Sequence, residues 1–192
     1  PGAPPCPVLT DLAALMAHIH HQRGDQDAMT QAMADLHQSS RQLVEQGASL
    51  EAARLLHEEA SLCVKLNDSK RAARLLGESR QRLEDLHQQD PDDLTVMGEL
   101  AATEHLLARL PLHAHVRAGR EGDAWWMGLD HALVAERLYE QLGDQRAQGR
   151  VWETMGRLKL QSGHLTQAQR HLERAVATQR QLSDVDGLSR ST

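Results

Sequence analysis

Apolar residues recur at three- and four-residue intervals along most of this chain, and glycines interrupt them at intervals. That period lays one apolar stripe along a helix, where strict alternation would signal a strand. Val8, Leu12, Leu15, Met16 and Ile19 predict a helix over about Asp11 to Gln22, with Thr10 as its N-cap and Gly24 as its stop. Met29, Ala32, Met33, Leu36, Leu43 and Val44 predict a second over Asp25 to Gln46, ended by Gly47. A third, Ser49 to Leu66, carries Ala52, Leu55, Leu56, Leu62, Cys63 and Leu66, and a fourth runs from Asn67-Asp68 to Gln88 with Ala72, Leu75, Leu76, Ser79, Leu83 and Leu86 inward. Asp90-Pro91-Asp92-Asp93 is a turn and the start of a fifth helix, Asp92 to Leu110, which includes Leu94, Met97, Ala101 and Ala108, because proline suits a first helical turn and acids favour its positive end. Pro111 is expected to break the pattern, and residues 111–122 have no clear period. A sixth helix, Asp123 to Leu142, presents Trp125, Leu129, Ala132, Ala135 and Tyr139.

A complete two-helix unit is most legible over residues 149–182. Small residues at Gly156, Ala168 and Ala175 let two antiparallel helices approach, Trp152, Met155, Leu160, Leu165 and Leu172 are expected to fill the space around them, and Gly163 makes the turn. Trp152, Gly156, Ala168 and Ala175 fall on the large-aromatic, glycine and two alanine positions of the tetratricopeptide (TPR) repeat, with Leu172 in place of the usual aromatic. The unit therefore resembles that family, departing from it at Lys159 and Arg180. Leu142-Gly143-Asp144 returns 40 residues later as Leu182-Ser183-Asp184, which resembles the longer TPR variant joined by Leu-Gly-Asp turns.

The resemblance implies an all-α, right-handed array of helical hairpins over residues 8–192, after a proline-rich tail at residues 1–7, with diverged units at 25–66 and 68–110. It also implies a turn at Leu182-Ser183-Asp184 and a further helix opening at Asp184. An array that stops there leaves an apolar face open, so a piece of a longer protein, or self-association through the C-terminal end, is expected.

Composition narrows the function classes. There is no Phe, so Leu, Ala, Val and Met must build the core, and helix is favoured over sheet. A net charge of -6 argues against a nucleic-acid or anionic-membrane binder, and no apolar run is long enough to span a bilayer. Neither a secretory leader nor a cysteine pair of metal or redox spacing is present, which points to the cytoplasm. Twelve histidines raise a second reading, a metal- or small-ligand-responsive regulatory domain. Its best candidates are His18 and His21 on one helical face, with His20, His113 and His115 nearby in type, but two ligands are too few for zinc, and no metal or cofactor is expected. No nucleophile elbow, phosphate loop or metalloprotease motif occurs, and Cys63 lies in an apolar stripe, so no catalytic residues and no enzyme are expected.

What the TPR resemblance implies is protein interaction: a peptide, helix or partner subunit held in a groove lined by the first helix of a unit, as the regulatory part of a larger protein or complex. Carried onto the matched unit, the groove residues are Arg150, Glu153, Arg157, Leu160 and Gln161. Arg150 and Arg157 are seven apart on one face and are expected to receive a carboxylate together. Glu153 and Arg157 stand at places where family members that clamp a C-terminal carboxylate use other residues, so that clamp is not expected. Trp125 and Trp126 are adjacent and cannot share a helical face, which makes Trp126 a further candidate for the interface. The basic row Lys70, Arg71, Arg74, Arg80 and Arg82 reads as a solvated face paired with Glu51, Glu58 and Glu59.

Overall fold

A computed structural model of the chain describes residues 26–113 and 122–190. The expected helix at Asp11 to Gln22, the tail at 1–7 and most of the 111–122 segment lie outside them. The described residues are all-α: α1 (Gln26–Glu45), α2 (Ser49–Lys65), α3 (Ser69–Gln89), α4 (Leu94–His113), α5 (Gly122–Gln141), α6 (Gln145–Gln161) and α7 (Leu165–Arg190). The chain divides into two compact units, residues 1–99 and 100–192.

Four reversals between these helices share one construction. The chain turns at Gly47, Asn67, Gly143 and Gly163, with φ of 77°, 60°, 68° and 80°. At each, the amide of the left-handed residue bonds back three residues and the next amide bonds back five, as in Gly143 N to Glu140 O at 3.1 Å and Asp144 N to Tyr139 O at 3.0 Å. This is the Schellman closure, which satisfies carbonyls that a helix end would otherwise leave unpaired. Asp68 and Asp144 then cap the next helices, their carboxylates accepting from Arg71 N at 3.1 Å and Ala147 N at 2.8 Å. The result is a stop and a start within three residues, so successive helices lie antiparallel.

In the first unit, α2 is buried along most of its length, from Ala52 to Val64, between α1 and α3. Met33, Leu36 and Leu43 meet it from α1, and Ala72, Leu75, Leu76 and Leu83 from α3. Full burial of each leucine contributes about 2 kcal/mol, so this stripe supplies the larger part of the driving force. In the second unit Leu129, Ala132, Ala135, Leu138 and Tyr139 of α5 and Val151, Trp152, Met155 and Leu158 of α6 form the core. From α7, among the residues whose burial is described, only Ala168 is buried.

Two expected breaks are absent. Pro111 lies inside α4, which continues to His113. Gly128 of α5 leaves room for the proline ring: a Cβ there would lie 3.1 Å from Pro111 Cγ and 3.1 Å from Ala108 O. The Leu182-Ser183-Asp184 turn is replaced by continuous helix, since α7 runs to Arg190. Ser183 is not the glycine that the other turn has at this place, and its Oγ donates to Gln179 O at 2.8 Å within the helix.

Candidate functional site: a trough on the second hairpin

The pairing of α6 with α7 is set by small residues. A Cβ on Gly156 would lie 2.6 Å from Leu172 Cγ and 3.2 Å from Ala168 O, and one on Gly149 would lie 3.6 Å from Thr178 Cγ2. Helices in such close contact bury a narrow seam and leave their outer flanks uncovered. Leu160 is 51%, Leu165 65% and Val176 45% exposed. This corrects the expectation that Leu160 and Leu165 fill the space inside the hairpin: both lie on its outer flank. With Ala168 and Leu172 they line an apolar groove of about 700 Å³.

A second cleft, of about 290 Å³, opens toward the start of α6, between Arg146, Arg150 and Glu153 on α6 and Thr178, Gln179 and Ser183 on α7. The two depressions are continuous. A third one lined by Val176, Gln179, Arg180 and Ser183 shares Val176 and Arg180 with the apolar groove and Gln179 and Ser183 with the cleft. Together they form one trough with a cationic end and an apolar end. From Arg150 to Leu160 it extends about 15 Å along α6, at 1.5 Å per residue.

The groove residues read from the sequence are distributed along this trough and beside it. Arg150 and Glu153 line the cleft and Leu160 lines the apolar groove, on the same hairpin. Arg157 pairs with Glu153 along the helix at 3.9 Å, both side chains exposed, and Gln161 is exposed at the end of α6. Arg150 and Arg157 therefore differ: one reaches into the cleft, the other has an acid of its own helix. Trp126 is 53% exposed but lines neither depression. It stands beside the α6–α7 turn, with Lys159 Nζ 4.7 Å from its ring centre and His164 edge-on at 6.0 Å.

Behind the trough, Trp152 is locked in place. Its Nε1 donates to Glu136 Oε1 at 2.6 Å, Arg174 stacks 3.7 Å above its ring, and Arg174 also reaches the same Glu136 oxygen at 3.3 Å. Glu136 carries no motif, and the sequence signals only that a buried indole needs an acceptor. Nearby, burial pushes the His171 imidazole below its usual range, against the pull of Glu136 and with help from Lys159 and Arg174.

The first unit holds different chemistry. Glu59, read from the sequence as part of a solvated face, is fully buried. Its two oxygens accept from Arg71 Nη2 at 2.5 Å and meet His37 Nδ1 at 3.2 Å. Cys63, one turn on, is fully buried too, and burial pushes its thiol up to about 11, so it stays protonated at neutral pH. His57 is held low by burial, with Glu58 and Glu99 opposing. Among the described residues no three His, Cys, Asp or Glu side chains are grouped to hold a metal ion. His18, His20, His21 and His115 lie outside them, and His113 is pushed down by burial and by Arg109 and Arg157. No helix of the described residues is long and apolar enough to cross a membrane. No family model matches the chain, and no curated protein matches it.

Proposed function

We propose that this chain is a protein-interaction scaffold of the tetratricopeptide kind, a regulatory part of a larger cytoplasmic protein or complex, that docks a helix or peptide of another protein on its second hairpin. The observation that carries this reading is the trough on α6 and α7, where Leu160, Leu165 and Val176 present apolar surface side by side. Scattered exposed leucines are ordinary, but a contiguous apolar groove rimmed by charge is the signature of a docking surface. Helix-in-groove recognition uses this geometry: apolar anchors spaced by one or two turns, with charged residues setting register. The acidic balance of the chain supports a protein partner over a nucleic acid. No catalytic role is assigned, because the only titratable side chains in the trough are exposed ones.

The test is a selection of helical peptides displayed on phage against the folded chain. Binders retained by the wild type are expected to lose at least about tenfold in affinity on the Leu165→Asp/Val176→Asp variant, a loss typical of charge placed under an apolar anchor. Circular dichroism checks that the variant keeps its helices. Binders that hold both proteins alike, or no binders at all, would remove the reading.

A further inference from the structure

The two units repeat each other at a fixed offset. Gly47 and Gly143 are 96 residues apart, and so are Asn67 and Gly163. At the same offset α1 falls on α5, both 20 residues long, and α2 on α6, both 17. Position by position, Arg54 corresponds to Arg150, Val64 to Leu160, Ala72 to Ala168 and Leu76 to Leu172. The first unit thus shows what the second leaves open. Arg54 Nε donates to Glu99 Oε1 at 2.7 Å, and Glu99 is the sixth residue of α4, whose first six residues belong to the first unit. Val64 and Leu76 are 6% and 0% exposed, whereas Leu160 is 51% exposed and Leu172 half-buried. Arg150, among the described residues, has no partner for its guanidinium.

We propose that the trough takes one α-helix of a partner protein, laid alongside α6, with a carboxylate near its N-terminal end seated on Arg150. This deepens the docking reading above and rests on it. The helix would carry its acid in the second turn, as α4 carries Glu99, and apolar side chains two to three turns further on. Those side chains cover Leu160, Leu165 and Val176, while the carboxylate takes the cationic end. An arginine offers a carboxylate two parallel donors, so this contact fixes both register and direction, which the apolar end alone does not. Arg180, on the rim between the two depressions, favours the same sign of charge on the partner.

The chain supplies a probe of the required type, a fluorescein-labelled peptide of residues 90–110, stapled into a helix. Titrated against the whole protein and followed by anisotropy, it is expected to bind. Arg150→Glu in the protein, or Glu99→Arg in the peptide, is expected to weaken binding at least about tenfold, and combining the two to restore it to within about threefold of the original, as for a direct charge pair. Arg150 is exposed, so its variant should fold, and circular dichroism confirms it. Absence of binding overturns the proposal, and so does binding that ignores both reversals. In the second case, loss of the peptide on Leu165→Asp/Val176→Asp would leave the docking reading standing and remove only the carboxylate contact. Sedimentation velocity of the protein alone is expected to show a monomer. A dimer abolished by Arg150→Glu would assign the trough to a second copy and overturn the partner helix.

Discussion

A fully buried glutamate stands at position 59 of the first unit, and 96 residues on, at the same turn of the corresponding helix, stands a fully buried methionine, Met155. The helices that carry them, α2 and α6, are both 17 residues long and are bounded by the same Schellman turns. Their seams are joined differently as well. In the first unit Ser79 Oγ donates to Ala53 O at 2.8 Å, a bond between α3 and α2 inside the core. At the corresponding places the second unit has Ala175 and Gly149, and its helices meet through Gly149 and Gly156 instead. The difference teaches that turn geometry and the lengths of α2 and α6 set this arrangement, while the core tolerates either a polar network or close apolar contact.

The largest effect that separates the two solutions lies at Glu59. Arg71→Leu removes the stronger partner of a buried carboxylate and is expected to cost about 3 kcal/mol, the usual consequence of leaving a buried charge with too little compensation. Glu59→Met writes the second unit's solution into the first. Arg71 and His37 are 36% and 39% exposed at the side chain and can turn to water, so this change is expected to be neutral or mildly stabilising. Urea denaturation of both variants gives the answer. Equal losses would mean that Glu59 is held by its shape and its carboxylate is not a cost of the fold.

Much of this fold is legible in the sequence, because its punctuation is local. Gly47, Gly143 and Gly163 announce their turns by being the residues that a left-handed backbone favours, and the three-four period places Leu36, Leu75 and Leu76 in the core. What the sequence hides depends on what lies across from each side chain. Pro111 reads as a break because a sequence does not show Gly128 opposite it. Leu165 reads as core because periodicity finds an apolar stripe without saying whether another helix covers it. Glu59 reads as surface because its partners, His37 and Arg71, are 22 and 12 residues away. The tetratricopeptide resemblance singles out Arg150 and Glu153, which line the cleft, but the offset of 96 that links Arg150 to Arg54 emerges only once the turns are placed.

A smaller effect is expected at the helix crossing. Ala60 and Gly156 correspond, and Ala60 already carries a buried methyl. Gly156→Ala improves helix propensity by somewhat under 1 kcal/mol, yet its Cβ would fall 2.6 Å from Leu172 Cγ, which must move with its helix. The crowding outweighs the propensity, and a net loss of about 1 kcal/mol is expected. Ala60→Gly should cost about the same for the opposite reason, lost propensity plus a small void. Thermal melts that show Gly156→Ala stabilised would mean that α6 and α7 sit further apart than their glycines allow.

The smallest effect tests the turns themselves. Three of the four left-handed positions are glycine and the fourth is Asn67, at φ 60°. Asparagine tolerates this region better than other residues with a Cβ, so little strain is stored there. Asn67→Gly removes that strain but gives the unfolded chain more freedom to lose, and the two terms oppose each other at roughly 0.5 kcal/mol. The expected change is therefore close to zero. Asn67→Ala keeps the unfolded chain restricted and meets the full steric cost of the left-handed region, so it should lose about 1 kcal/mol. Gly163→Ala, at the corresponding place of the second unit, should lose a similar amount, and because a Cβ there would touch nothing within 4 Å, the loss is conformational and free of any packing term. Matching losses at 67 and 163, measured by urea denaturation, would tie both units to one turn. A silent Asn67→Ala beside a costly Gly163→Ala would mean that the first unit closes its second reversal without the left-handed residue, and the correspondence between the two units would end at α2.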